Sequence, residues 1–177
     1  MPKASYTKFI WDLSQFVMPE NGAKPLGDIR EATRGEAELV WAVIERAVMA
    51  DPAWSVGLKS RLRELRPVVF EGMDSGKATF LVIHSGERFI GASGLVADSG
   101  AARQLVTGVH IVNEFRCRGQ GTHLLAGSLA WLKQKGLAEA AAITKVGIAA
   151  EKYLYGKFGG KSMPIESVPP LPRFSRK

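Results

Sequence analysis

The run Arg116-Cys117-Arg118-Gly119-Gln120-Gly121 sets cations beside glycines in a spacing that suits an anion. Before it stands Leu105-Val106-Thr107-Gly108-Val109-His110-Ile111-Val112, whose branched apolar residues read as a buried strand. After it, from Thr122, an apolar helix begins. A strand that passes through a basic glycine loop into a helix presents free backbone N–H groups at the first helical turn, where the helix dipole favours negative charge. Residues 104–125 therefore predict a site for a phosphorylated ligand.

Three glycine loops could serve such a ligand. The Walker loop, GxxxxGK[ST], needs a lysine followed by serine or threonine, and no such pair follows these glycines. The dinucleotide fingerprint GxGxxG needs a third glycine where Leu124 stands, and a parallel βαβ unit around it rather than a run of antiparallel strands. The third pattern, [Q/R]xxGx[G/A], is met by Arg116, Gly119 and Gly121.

That pattern resembles the acetyl-CoA-binding motif of the GNAT acyltransferases (Gcn5-related N-acetyltransferases). Ile111-Val112-Asn113-Glu114-Phe115-Arg116 is similar to the family's V-x-P-x-Y-R strand end, with Asn113 for the usual proline. Phe80 to Ile83 and Phe89-Ile90-Gly91 resemble its second and third strands, and Leu154-Tyr155-Gly156-Lys157-Phe158-Gly159 its L-Y-x-K-x-G-F segment. The likeness covers about residues 28–160. Two positions depart from it: Gly160 stands where phenylalanine is usual, which predicts a loosened core contact, and Ile148 where an asparagine often precedes the last helix.

The resemblance implies an acetyl-CoA-dependent N-acetyltransferase that moves the acetyl group to a primary amine by direct attack. It places the CoA pyrophosphate on the amides of Arg118, Gly119, Gln120, Gly121, Thr122 and His123, with Arg116 adding charge. The pantetheine arm would lie along Val109, Ile111 and Val112, where a backbone N–H can polarise the thioester carbonyl. Tyr155 takes the family's position for the general acid that protonates the departing thiolate. His110 lies on the right strand for a base but equally suits a core position, and a water relay to a distant carboxylate stays open. Cys117 as an acyl-carrying nucleophile is the least favoured role in this loop. Alternatives to the enzyme are a CoA-binding module without catalysis, or a nucleic-acid-directed protein on the same fold.

The elements that must position these residues follow from periodicity. Residues 1–27 form an N-terminal appendage, with Phe9, Ile10, Leu13, Phe16 and Val17 at helical spacing and a break at Pro19 to Pro25. Asp28 to Ala32 reads as a short strand. Thr33 and Glu36 form a capping-box signature before a helix that buries Val40, Val43, Ile44, Ala47 and Val48 and closes at Asp51-Pro52. Leu58, Leu62 and Leu65 mark a second helix ending at Pro67, whose Lys59, Arg61, Arg63 and Arg66 read as a solvated face. A hairpin follows over Thr79 to Ile83 and Phe89 to Val96, turning at Ser85-Gly86. Beyond the opening stretch come a helix to Lys135, a strand over Ala140 to Val146 and a helix over Ala149 to Phe158. The order predicts a mixed α/β fold, and the resemblance specifies a three-layer sandwich with a mostly antiparallel twisted sheet over residues 28–163. The Pro-rich basic remainder, 164–177, reads as a loose tail. So short a C-terminus predicts a missing or borrowed final strand, hence a possible homodimer.

A chain of 177 residues suits one domain, burying roughly 70% of its unfolded surface. No membrane span or signal peptide is read, and one cysteine suits a reducing cytoplasm. One cysteine and three scattered histidines predict no metal site. The net charge of +7 favours polyanions and small phosphorylated anions alike. The acceptor amine, small or borne by a protein, falls to the early helices, the loop near Trp54 and the C-terminal strands.

Overall fold

The structure is a computed structural model that describes residues 5–19, 27–116 and 118–174. Cys117 and the break at Asn21 to Pro25 lie outside the described residues. In chain order the elements are β1 (Tyr6–Asp12), β2 (Asp28–Glu31), α1 (Ala37–Ala50), α2 (Leu58–Ser75), β3 (Thr79–Ser85) and β4 (Arg88–Leu95), then β5 (Leu105–Ile111), α3 (Gln120–Gln134), β6 (Glu139–Lys145), α4 (Ala149–Tyr153) and β7 (Lys161–Ile165). They build two antiparallel sheets, β2-β3-β4-β5 and β6-β1-β7.

The first sheet is covered on both faces. Every residue of β4 after Arg88 is buried, and the strand touches both α1 and α3. Continuous burial replaces the alternation of a half-solvated strand. Thr33 and Glu36 do form a capping box, on the 3-10 turn Arg34–Glu36 that leads into α1: the Thr33 amide donates to Glu36 Oε1 at 2.8 Å. That carboxylate also pairs with Arg30, which holds it well below the usual range, at about 2.

Several sequence expectations change. Phe9 to Val17 does not form a helix. Residues 6–12 are a strand on which Thr7, Phe9 and Trp11 are buried alternately, so period 2 overrides the helical spacing. β1 lies between β6 and β7, with Phe9 facing Ala142 on one side and Ser162 on the other. The stretch set apart as an appendage thus supplies the middle strand of the second sheet.

The second helix does not stop at Pro67 but runs on to Ser75. Proline removes one intrahelical hydrogen bond, yet Val68, Val69, Gly72 and Met73 continue the buried face set by Leu65. Tertiary packing outweighs the break. The last helix, by contrast, is shorter than its pattern: α4 ends at Tyr153, and Phe158 turns to φ 59° to pack edge-on against Phe16, ring centroids 5.6 Å apart.

The tail is not loose over its described part. After β7 it runs back along α2, where Phe174 is buried and Arg173 pairs with Glu71 at 2.9 Å. Gly72 makes room for it, since a Cβ there would stand 3.2 Å from the Phe174 ring. Among the described residues no helix is long and apolar enough to cross a membrane, and no cluster of metal-ligating side chains occurs.

Candidate active site

The two sheets part company at Gln104. Its amide donates to Ala141 O at 3.0 Å, and its side-chain Oε1 accepts from Ala141 N at 2.8 Å. Beyond this point β5 and β6 are no longer hydrogen-bonded to each other. A bulge bends β5 at the same place. Gly94 pairs with Gly108 but Leu95 with Leu105, leaving Val106 and Thr107 as extra residues. Thr107 Oγ1 repairs the ladder by accepting from Gly94 N at 2.8 Å. The splay opens a cleft of about 830 Å³ between the sheets.

Tyr155 is set against the open edge of β5. Its phenolic oxygen accepts from the Val109 amide at 3.0 Å and keeps its own proton to donate. Gly108, at φ 79°, permits the approach: a Cβ there would stand 2.6 Å from that oxygen. Phe9 and Trp11 of β1 wall the ring, with centroids 5.6 and 5.9 Å away. Burial raises the phenol above its ordinary pKa, while the Val109 amide and the charge of Arg61 act the other way. The group stays protonated at neutral pH.

Gly160 follows from the same cluster. A Cβ at this position would lie 2.1 Å from Tyr155 O and 2.7 Å from Trp11 Nε1. The indole fills the space instead and donates to Lys157 O at 2.9 Å. The departure from the resembled pattern does not loosen the core, because β1 supplies the aromatic contact.

His110 faces the cleft, and its Nε2 donates to Thr107 O at 2.7 Å. Burial lowers its pKa to about 4, partly countered by that hydrogen bond, with Arg61 and Arg116 adding repulsion. The ring is neutral at physiological pH and is correspondingly a weak base.

At the other end of the cleft, α3 begins at Gln120 behind Gly119 (φ 78°), and its first intrahelical bond is His123 N to Gly119 O. The amides before it are free to meet an anion. Gly119, Gly121 and Thr122 line the cleft, as do Val109 and Ile111. Arg118, Gln120, His123 and Val112 are not part of its wall. Arg116 reaches it but is engaged in the scaffold: Nε donates to Ile111 O at 3.3 Å and Nη2 to Ala47 O at 3.2 Å, tying β5 to α1. A cation that stands at the helix N-terminus is Lys157, whose Nζ donates to Thr122 Oγ1 at 2.8 Å. Ile148 adds an apolar wall nearby.

The far end holds residues the sequence reading passed over. Arg61 is not on a solvated face; it turns into the cleft and stacks on Trp54, 5.2 Å from the ring centroid. Lys145 lies 4.6 Å from the same ring. Arg103, 4% exposed, donates to Pro169 O of the tail, and residues 168–171 line the cleft there. Arg61 falls three residues after Leu58 and four before Leu65, so the helical period itself puts it on the inner side. That was the missed signal.

No protein-family model matches the chain, and no curated protein does at a significant level. Solved structures do. A GCN5-related N-acetyltransferase from Sphaerobacter thermophilus superposes with a TM-score of 0.58 at 17% identity, covering 92% of this chain and 50% of that one. One from Ralstonia eutropha gives 0.57 at 18%, covering 80% and 97%. A Drosophila protein gives 0.59 at 12%, covering 92% and 49%. The chain thus spans about half the length of the Sphaerobacter and Drosophila proteins. Its fold is the GNAT fold, with the sheet parted between β5 and β6.

Proposed function

We propose that this chain is an acetyl-CoA-dependent N-acetyltransferase acting on a primary amine. The observation that carries the reading is the protonated phenol of Tyr155 held against β5, in the same cleft that ends at the free amides of α3. The residues present fit acetyl-CoA. Glycines 119 and 121 leave the amides approachable, Lys157 adds a cation, and the splay leaves the outward edge of β5 open to an extended arm.

Bound acetyl-CoA supplies a thioester carbonyl for the amine nitrogen to attack, with loss of the CoA thiolate. Tyr155 then gives its phenolic proton to the sulfur and recovers one from the nitrogen that has gained the acetyl group, so protons balance. Arg61 lies near enough for its charge to act on the phenol, easing the brief phenolate. His110, neutral and tied to Thr107, orients the bulged strand and can accept a hydrogen bond, but its depressed pKa makes it a poor store for the amine proton.

Calorimetric titration with acetyl-CoA tests the shared premise, and CoA-thiol release with a panel of amines tests the enzyme. Binding without release would leave a CoA-binding module. No binding would remove the proposal.

A further inference from the structure

Resting on the acetyltransferase reading, we propose that the acceptor is a small amine that also carries an oxyanion, and that Arg61 receives this oxyanion at the end of the cleft away from α3. The argument is one of unbalanced charge. Arg61 is 16% exposed at its side chain, its Nε has no hydrogen-bond partner, and its closest carboxylate is Glu64 at 3.9 Å, itself 59% exposed. A buried cation is ordinarily paired and fully hydrogen-bonded, because the lost hydration must be replaced.

Arg103 makes the imbalance worse. It is also buried, close enough to Arg61 for the two charges to repel, and it donates to the neutral carbonyl of Pro169. Lys145 stands 4.6 Å from the centroid of the same Trp54 ring and donates to the neutral carbonyl of Ala53. On the acidic side, Asp51 uses its carboxylate to cap Ala53 N, and Glu71 is taken by Arg173. Among the described residues, Glu64, 3.9 Å from Arg61 and 59% exposed, is thus left to face two buried guanidiniums, and the end wall is short of an anion.

Position makes that anion part of the acceptor. The charge of Arg61 acts on both His110 and Tyr155, so it lies within electrostatic reach of the reacting end, while the α3 amides and Lys157 lie at the opposite end. An amine nitrogen beside Tyr155 would bring an oxyanion a few bonds away up to the guanidinium. A guanidinium binds carboxylate and phosphate in the same forked geometry. The tail carbonyl of Pro169 and the Trp54 ring limit the room, which favours a compact acceptor.

The test compares three amines of equal length: an amino carboxylic acid, an aminoalkyl phosphate and a neutral amino alcohol. Thermal unfolding of the full chain reads binding, and initial rates with acetyl-CoA read transfer. Either oxyanion-bearing amine should raise the melting temperature and be used ~100-fold better than the alcohol, the larger effect identifying carboxylate or phosphate. Arg61→Met should abolish the shift and reduce the preference to near unity. Equal shifts from all three amines in the unaltered protein would overturn the proposal without any variant, as would a preference that survives in Arg61→Met. If acetyl-CoA does not bind, the transferase reading falls, while the thermal shifts still decide what Arg61 holds.

Discussion

The Val109 amide donates to the Tyr155 phenol across 3.0 Å, joining the strand that opens the cleft to the segment after α4. One contact thereby serves two ends: it fixes the phenol proposed as the acid, and it satisfies a backbone donor at the edge of β5 that has no strand beside it. Tyr155→Phe should lower turnover by ~100-fold or more, the usual worth of a positioned acid, with acetyl-CoA affinity nearly unchanged. It should also cost about 1–3 kcal/mol in stability, since the Val109 N–H is left buried and unpaired. Steady-state kinetics beside denaturant unfolding check both. An unaltered kcat would remove Tyr155 from the chemistry.

His110 gives a pH signature. Its folded pKa is about 4, below the ordinary value of 6.5. As pH falls below about 6.5 the unfolded chain takes up a proton that the folded chain refuses until about 4. Stability should therefore be unaffected by this group above pH ~7 and decline progressively between ~6.5 and ~4. Unfolding curves over that window should flatten in His110→Gln. Turnover should likewise show no limb at the ordinary histidine pKa. A limb near 6.5 that vanishes in the variant would show that the ring titrates normally.

In the proposed function Lys157, held by Thr122, meets a phosphate of acetyl-CoA at the α3 N-terminus. Lys157→Ala should weaken acetyl-CoA binding roughly tenfold, about 1.4 kcal/mol, and reduce its dependence on salt. Arg116→Ala should behave differently. Its guanidinium joins Ile111 O to Ala47 O, so the main loss should be in stability rather than in the salt response. Calorimetry at two ionic strengths separates the two.

Trp11 and Gly160 occupy one space and should be changed only together. Trp11→Ala should destabilise by ~3–5 kcal/mol, the usual cost of emptying a buried aromatic site. Gly160→Ala forces a Cβ onto Tyr155 O and the indole, so it too should lower the melting temperature. If Gly160→Ala melts like the unaltered protein, the indole does not occupy that position.

Much of this was legible because the α3 region carries local physics. Gly119 and Gly121, the branched strand before them and the Leu124, Leu125, Leu129 stripe behind them all act within a few turns of chain. The hairpin of β3 and β4 was equally plain, since its turn at Gly86 is local. What escaped depended on distant partners. Residues 6–12 fit both a helical and a strand period, and only β6 and β7 decide between them. Pro67 marked a stop that Val68 to Met73 outweigh through burial. Arg61 resembled a solvated residue because charge was weighed before the phase of the helix. Phe174 gave no sign of its socket, which is a missing side chain at Gly72.

The place of β1 also sets an order of events. Residues 6–12 are made well before both strands that flank them, 139–145 and 161–165. The first sheet and α3 can form while synthesis continues; the second sheet must wait, its central strand exposed on two edges in the meantime. Such long-range closure is slow and leaves a nascent edge open to wrong partners. Because Phe9 and Trp11 also wall Tyr155, that ring is not enclosed until the second sheet closes, and a chain halted before residue 139 has the α3 N-terminus but not the wall around the phenol.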